Sequence, residues 1–182
     1  MANDWNADSL IWGEGLRLFE VFLEPTCPFS VKTFYKLDEL LEQTQGKARI
    51  QIWLQSQPWH LLSPIVTRAI VAASTLEGGR ETAKKVMAAV AEHREEFVFE
   101  SHCTGPNRDI TPNQVLNKLE AYSGVSLAPA FDIPDLDREV KRHAKYARQN
   151  GIHSSPTFMI DGIVDPGLSS GDAVEDWVKK LA

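Results

Sequence analysis

The stretch Pro25-Thr26-Cys27-Pro28-Phe29-Ser30 lies between an apolar run, Leu16 to Leu23, and a helical pattern carrying Val31, Phe34, Tyr35, Leu37, Leu40 and Leu41. The run alternates at Leu16 and Leu18 and becomes nearly continuous through Phe19, Val21 and Phe22, which reads as a strand. The positions that follow are spaced for one buried face of a single amphipathic helix. Pro28 fits just inside that helix, where a missing N–H costs nothing. Cys27 therefore falls at or beside the N-cap. Free N–H groups and the positive end of the helix dipole are directed at a sulfur in that position, which favours the thiolate, the nucleophilic form of cysteine. The motif is C-x-x-S, one cysteine short of the redox pattern C-x-x-C. Ser30 stands where a resolving thiol would stand. Its hydroxyl cannot form a disulfide, and its expected role is to donate a hydrogen bond to the Cys27 thiolate. Taken alone, the motif is equally compatible with Cys27 as a small buried hydrophobe at a helix start.

The second half of the chain shifts that balance. Gly151-Ile152-His153-Ser154-Ser155-Pro156-Thr157-Phe158-Met159-Ile160-Asp161-Gly162 reads as a helix stop, an X-Pro bond, a short apolar strand and an Asp-Gly turn. The pair of motifs, C-P-F-S after the first strand and S-P-T-F-M-I-D-G near the end, resembles the DsbA-type branch of the thioredoxin superfamily. The resemblance spans nearly the whole chain, because the order of elements fits as well. It implies a cis bond between Ser155 and Pro156, with the proline packed against Cys27. It also implies Cys27 and Ser30 as the catalytic pair and substrate contacts from Pro28, Phe29, Ser155 and Pro156. Two positions depart from the family pattern. Ser30 replaces the second cysteine, which removes the dithiol oxidase cycle, and Ser154 stands where glycine is common.

Composition limits the alternatives. The chain has 182 residues with 43% hydrophobic content, enough for one domain with an insertion and a sizeable core. It carries 19 basic and 25 acidic residues, a net charge of −6, without a basic cluster. That balance argues against nucleic acid as a partner. No stretch approaches the ~20 apolar residues of a membrane-spanning helix. The opening Met1-Ala2-Asn3-Asp4-Trp5-Asn6 has no basic segment followed by an apolar one, so a cytoplasmic location is expected. With only Cys27 and Cys103 there is no framework of structural disulfides, which suits a reducing compartment.

The predicted architecture is α/β, with a split domain and an insert. Residues 1–62 and 150–182 form the thioredoxin-like part, βαβ followed by ββα, and 63–149 form an all-helical insertion. The second strand is Ala48 to Leu54, and a strand–crossover–strand unit of this kind gives parallel pairing. In the insert, Ser63-Pro64 reads as a cap followed by proline at N1, opening a helix that runs to Gly78-Gly79. A second helix carries Ala83, Val86, Met87, Val90 and Ala91, and Thr111-Pro112-Asn113-Gln114 fits a capping box opening a third. Leu136, Val140, Ala144 and Ala147 mark a fourth, and Val174, Trp177, Val178 and Leu181 mark the C-terminal helix. The five Trp are assigned to the core.

Several polar residues have two readings. Glu24, three positions before Cys27, could relay the thiol proton; the commoner reading is a solvated loop acid. His60 is either a structural histidine or a group that approaches the site. His102 and Cys103 suggest zinc, but further ligands at zinc spacing are missing and no metal is expected. Cys103 as a resolving thiol would have to lie within about 7 Å of Cys27 between Cα atoms, and it belongs to the insert. The expected function is thiol–disulfide exchange through Cys27 alone, on a protein or small-molecule disulfide or thiol. Glutathione would be a co-substrate, and no cofactor would be tightly bound. Kappa-class glutathione transferases and hydroxychromene-carboxylate isomerases share the resemblance but usually have Ser where Cys27 stands. A non-catalytic peptide-binding module is the remaining class.

Overall fold

The computed structural model describes residues 5–100 and 104–182, so Met1 to Asp4, Ser101, His102 and Cys103 lie outside the described residues. The strands are β1 (Ile11–Trp12), β2 (Arg17–Leu23), β3 (Ala48–Leu54), β4 (Thr157–Ile160) and β5 (Ile163–Val164). They form one sheet in the order β1-β3-β2-β4-β5. β2 and β3 run parallel, as the crossover between them requires, while β4 runs antiparallel to β2 and β5 antiparallel to β4. The added edge strand β1 is antiparallel to β3 and was not marked by the sequence pattern. A two-residue hairpin joins β4 to β5, with Asp161 at φ 50° and Gly162 at φ 83°, the left-handed pair that an Asp-Gly turn favours.

The helix after Cys27 is two helices, α1 (Pro28–Phe34) and α2 (Leu37–Gln43). The break carries neither Pro nor Gly. It coincides with Lys36, whose Nζ donates to the carbonyls of Ser170 and Asp172 at 2.8 and 2.5 Å and sits 5.3 Å from the Trp177 ring. The single-helix expectation is thus corrected by a tertiary anchor at the turn.

Between β3 and β4 the regular elements are helical: α3 (Ser63–Ala73), α4 (Arg80–Glu92), a 3-10 turn at Arg94–Phe97, α5 (Pro112–Ser123), α6 (Ala128–Phe131) and α7 (Asp137–Gln149). Thr111 and Gln114 form the expected capping box, each side chain bonded to the other's backbone N–H. Ser63 is the first residue of α3 rather than its cap, and its Oγ is buried without a partner. The final helix, α8 (Val174–Leu181), follows β5.

Odd and even positions of β2 feed two cores. Phe19, Val21 and Leu23 join Ile50, Ile52, Phe158, Leu40 and Trp177, and this cluster continues without interruption into Val66, Val86 and Leu119 of the inserted helices. Phe19, Phe158 and Trp177 pack as an aromatic trio, with centroids 5.3–5.8 Å apart, that seats α8. On the opposite face Phe22, Trp53, Met159 and Ile152 meet Ala147 and Tyr146 of α7. Glu20 is buried there, taking hydrogen bonds from Trp53 Nε1 at 2.9 Å and Tyr146 OH at 3.0 Å. Burial, then Glu20, pushes the Tyr146 hydroxyl up to about 12. The assignment of all five Trp to the core is corrected in one case, since Trp59 is 66% exposed.

α7 also supplies a buried histidine. His143 Nδ1 accepts the Leu54 N–H at 3.0 Å, a donor at the end of β3. Burial, outweighing the Glu139 carboxylate 3.7 Å from Nε2, pushes His143 below its ordinary 6.5. Glu139 itself is held at about 2, first by the hydrogen bond with His143 and then by Arg142, against its partial burial. Both shifts point the same way. The unfolded chain binds a proton at each group at a higher pH than the folded chain does, so their stabilisation is complete above about pH 6.5 and is lost as acid protonates first the histidine and later the carboxylate. We expect the melting temperature to fall as pH drops from 6.5 to 5. His143→Gln keeps an acceptor for Leu54 N–H but no titration, and should flatten that limb when melting is followed by circular dichroism.

Candidate active site

The antiparallel register of β2 and β4 pairs Phe22 with Thr157. The segment leaving β2 and the segment entering β4 therefore emerge at the same end of the sheet. There Cys27 and Ser155, 128 positions apart in sequence, meet: Cys27 Sγ lies 3.8 Å from the Ser155 carbonyl oxygen, to which the thiol donates. The Ser155–Pro156 bond is cis. Cys27 is the N-cap residue of α1 in extended conformation, φ −74° and ψ 129°, followed by Pro28 at the first helical position. Its carbonyl accepts the Val31 N–H at 2.9 Å, closing the first turn, and its own N–H donates to Glu24 O at 3.1 Å. The sulfur is nearly buried, while Pro28 and Phe29 beside it are exposed, Phe29 at 61%.

Ser30 sits one turn into α1 and is buried. In place of the expected donation to Cys27, its Oγ accepts the Glu24 N–H at 3.2 Å. The hydroxyl thus holds the loop that carries the cysteine. Behind it lies a small apolar cavity of about 20 Å³ lined by Leu23, Val31, Phe34, Leu54 and Met87.

Glu24 overturns the reading of a solvated loop acid: it is fully buried. The turn at Pro25-Thr26 folds donors back onto the carboxylate, so its burial is compensated. Thr26 N–H reaches Oε1 at 3.2 Å and Thr26 Oγ1 donates to Oε2 at 2.8 Å. His60 Nδ1 lies 3.3 Å from Oε2, and its side chain is 16% exposed. His60 is therefore brought to the site by the turn after β3 and links the buried acid to the surface. Thr26 O in turn accepts from Arg94 Nε at 2.7 Å. Arg94 opens the 3-10 turn after α4, so the helical segment contributes a guanidinium one peptide away from Cys27. Nothing in the local pattern of Arg94, which also pairs with the adjacent Glu95, marked it, because its Nε bonds a backbone carbonyl in a distant loop.

The Pro156 side is held by two glutamines after β3. Gln55 Nε2 donates to Ile152 O at 3.2 Å, Gln57 Nε2 donates to His153 O at 3.2 Å, and Ser155 Oγ donates to Gln57 Oε1 at 3.1 Å. Sequence reading missed both; only their position directly after a strand that ends at the site could have drawn attention to them. Ser154, the departure from the family pattern, is spanned by Thr157 Oγ1 donating to its carbonyl at 2.7 Å. A groove of about 360 Å³ runs along the far side of Pro156, past His153, Ser154, Thr157 and Asp165. Among the described residues no three His, Cys, Asp or Glu gather as a metal site, and the His102–Cys103 zinc reading falls outside them. No helix among the described residues is long and apolar enough to cross a membrane.

No protein-family model matches the sequence, and no curated protein matches it. Solved structures do. One, a putative protein-disulfide isomerase from Pseudomonas syringae, is 61% identical, covering 96% of this chain and 98% of that one at a TM-score of 0.94. DsbA2 from Pseudomonas aeruginosa is 16% identical over 96% of both chains with a TM-score of 0.62. The thiol-disulfide exchange protein α-DsbA2 from Wolbachia pipientis is 13% identical over 95% of this chain and 85% of its own, with a TM-score of 0.70. The last two show the fold, a thioredoxin-like one. The extent of the first likeness goes further: the chain belongs to the DsbA-type branch of the thioredoxin superfamily.

Glu24 is the hub of the Cys27 loop. Glu24→Ala strands two donors on buried Thr26 and leaves His60 without its partner, so we expect a loss of about 1–5 kcal/mol, from the cost of an unmet buried donor to that of a broken buried pair. Urea unfolding measures it; a loss below about 0.5 kcal/mol, as for an ordinary surface change, would return Glu24 to the solvated class.

Proposed function

We propose that this chain catalyses thiol–disulfide exchange with Cys27 as its single nucleophile and glutathione as co-substrate. The observation that carries the proposal is the seating of Cys27 Sγ at the start of α1, 3.8 Å from the Ser155 carbonyl, with a hydroxyl rather than a thiol at position 30. The 61% identical structure, described as a putative protein-disulfide isomerase, supports it.

The cycle has two displacements. The Cys27 thiolate attacks one sulfur of a substrate disulfide; the Cys27–substrate S–S bond forms, the substrate S–S bond breaks, and the second substrate sulfur leaves as a thiolate. A glutathione thiolate, or another thiol of the substrate, then attacks the mixed disulfide. Cys27 leaves as the thiolate, and the new disulfide is released. No net oxidation of the enzyme occurs, which suits isomerisation and the addition or removal of glutathione. Pro28, Phe29, Ser155 and Pro156 form the rim against which the substrate lies. Glu24 is assigned the relay of the thiol proton, and His60, whose Nδ1 lies 3.3 Å from Glu24 Oε2, links it to the surface.

The test is trapping of the intermediate. Incubation with oxidised glutathione should give one adduct per chain by mass spectrometry, on Cys27, removed by reduced glutathione. Cys27→Ser should abolish the adduct, and Cys103→Ser should leave it unchanged. Ser30→Cys should convert the adduct to an internal disulfide, since the cavity behind position 30 offers room for sulfur. A folded protein whose Cys27 takes no glutathione would favour the binding-module reading.

A further inference from the structure

We propose that Gln57 is a positioning residue for the disulfide substrate: it holds the 153–155 segment in the one arrangement that lets a bound disulfide line up with Cys27. The inference rests on the thiol-exchange reading above. Gln57 lies beyond β3, outside both sequence motifs, and is 4% exposed. Its amide is used at both ends: Nε2 donates to His153 O and Oε1 accepts from Ser155 Oγ, at 3.2 and 3.1 Å. These contacts flank Ser154 and end directly before Pro156. The carbonyl of the same Ser155 takes the Cys27 thiol. A single buried side chain therefore clamps the strand entrance that faces the sulfur.

The chemistry explains why such a clamp matters more for exchange than for the thiol itself. Displacement at sulfur needs the attacking sulfur and both sulfurs of the breaking bond nearly in line, so the partner must be held in register, and small misplacement is costly. A small alkylating reagent approaches Cys27 without help from the 153–155 segment. Without Gln57, Ser155 Oγ and His153 O lose their partner. Among the described residues the segment then keeps Gln55 on Ile152 O, the Ser154–Thr157 contacts and the Cys27 thiol on Ser155 O. The last of these is given up when Cys27 reacts, so the Ser155 side chain facing the incoming disulfide is no longer held.

Gln57→Met, close in volume and without hydrogen-bonding ability, tests this in the full chain. Two rates are compared with wild type: mixed-disulfide formation with oxidised glutathione and alkylation of Cys27 by iodoacetamide. We expect the first to fall about tenfold and the second to stay within twofold. Ser155→Ala removes one of the two Gln57 bonds, so the double variant should be no slower than Gln57→Met alone. Equal exchange rates in wild type and folded Gln57→Met would overturn the inference, as would a parallel fall in both rates, which would mean Gln57 acts on the thiol or on the fold as a whole. If Gln57→Met does not fold, Gln57→Asn, which keeps the amide but shortens its reach, takes its place: exchange must fall while alkylation holds. A wild type that forms no mixed disulfide would instead overturn the thiol-exchange reading, and this inference with it.

Discussion

The site depends on one constraint, the antiparallel pairing of β2 with β4 in the register Phe22 to Thr157. Cys27 follows one strand and Ser155 precedes the other, so this register brings the Cys27 thiol to the Ser155 carbonyl. Side-chain period two makes the register stiff. A slip by one residue would exchange Phe19 and Val21, which pack with Trp177, for Glu20 and Phe22, which pack with Trp53 and Tyr146. Each face of β2 is filled by a different core, so neither exchange is tolerated. The Cys27 sulfur is thus located by aromatic packing well away from it.

On this frame the site is closed by polar rather than apolar contacts. Thr26 gives its N–H and hydroxyl to Glu24 and its carbonyl to Arg94, and Ser30 receives the Glu24 N–H. Buried polar groups of this kind are costly unless every donor is met. When they are met they permit one loop conformation, where apolar packing would permit several. The contributors come from four places: the loop itself, α1, the turn after β3 and the turn after α4. The helical segment is therefore not a passive insert, since Arg94 ties it to the peptide preceding Cys27 and its apolar core is continuous with that of the sheet.

What was legible in the sequence was local. The strand Ala48 to Leu54, the Thr111 capping box, the Asp161-Gly162 turn and the Cys27 cap all follow from short-range periodicity and turn chemistry, and the structure has them where expected. The cis bond before Pro156 came from the resemblance and is present. What was not legible was which loops meet. The break at Tyr35-Lys36 has no Pro or Gly, because its cause is a pair of carbonyls at Ser170 and Asp172. Glu24 reads as an ordinary loop acid until Thr26 and His60 surround it. Gln57 and Arg94 carry no local signal of the site, since the bonds that bring them to it go to backbone or hydroxyl groups far along the chain.

Ser30 shows how the two levels combine. As sequence, it is a missing thiol. In the structure its oxygen accepts the Glu24 N–H, and sulfur is a weaker acceptor than a hydroxyl. The serine therefore does two things at once: it removes the internal route for resolving a mixed disulfide and strengthens the loop that presents the remaining cysteine. A cysteine at position 30 would restore the first and loosen the second, by leaving a buried N–H with a poor partner in the loop before Cys27. In the proposed exchange, resolution by an external thiol follows from the chemistry of oxygen, while the precision of the Cys27 loop follows from its hydrogen bonding. In this chain one atom, Ser30 Oγ, supplies both.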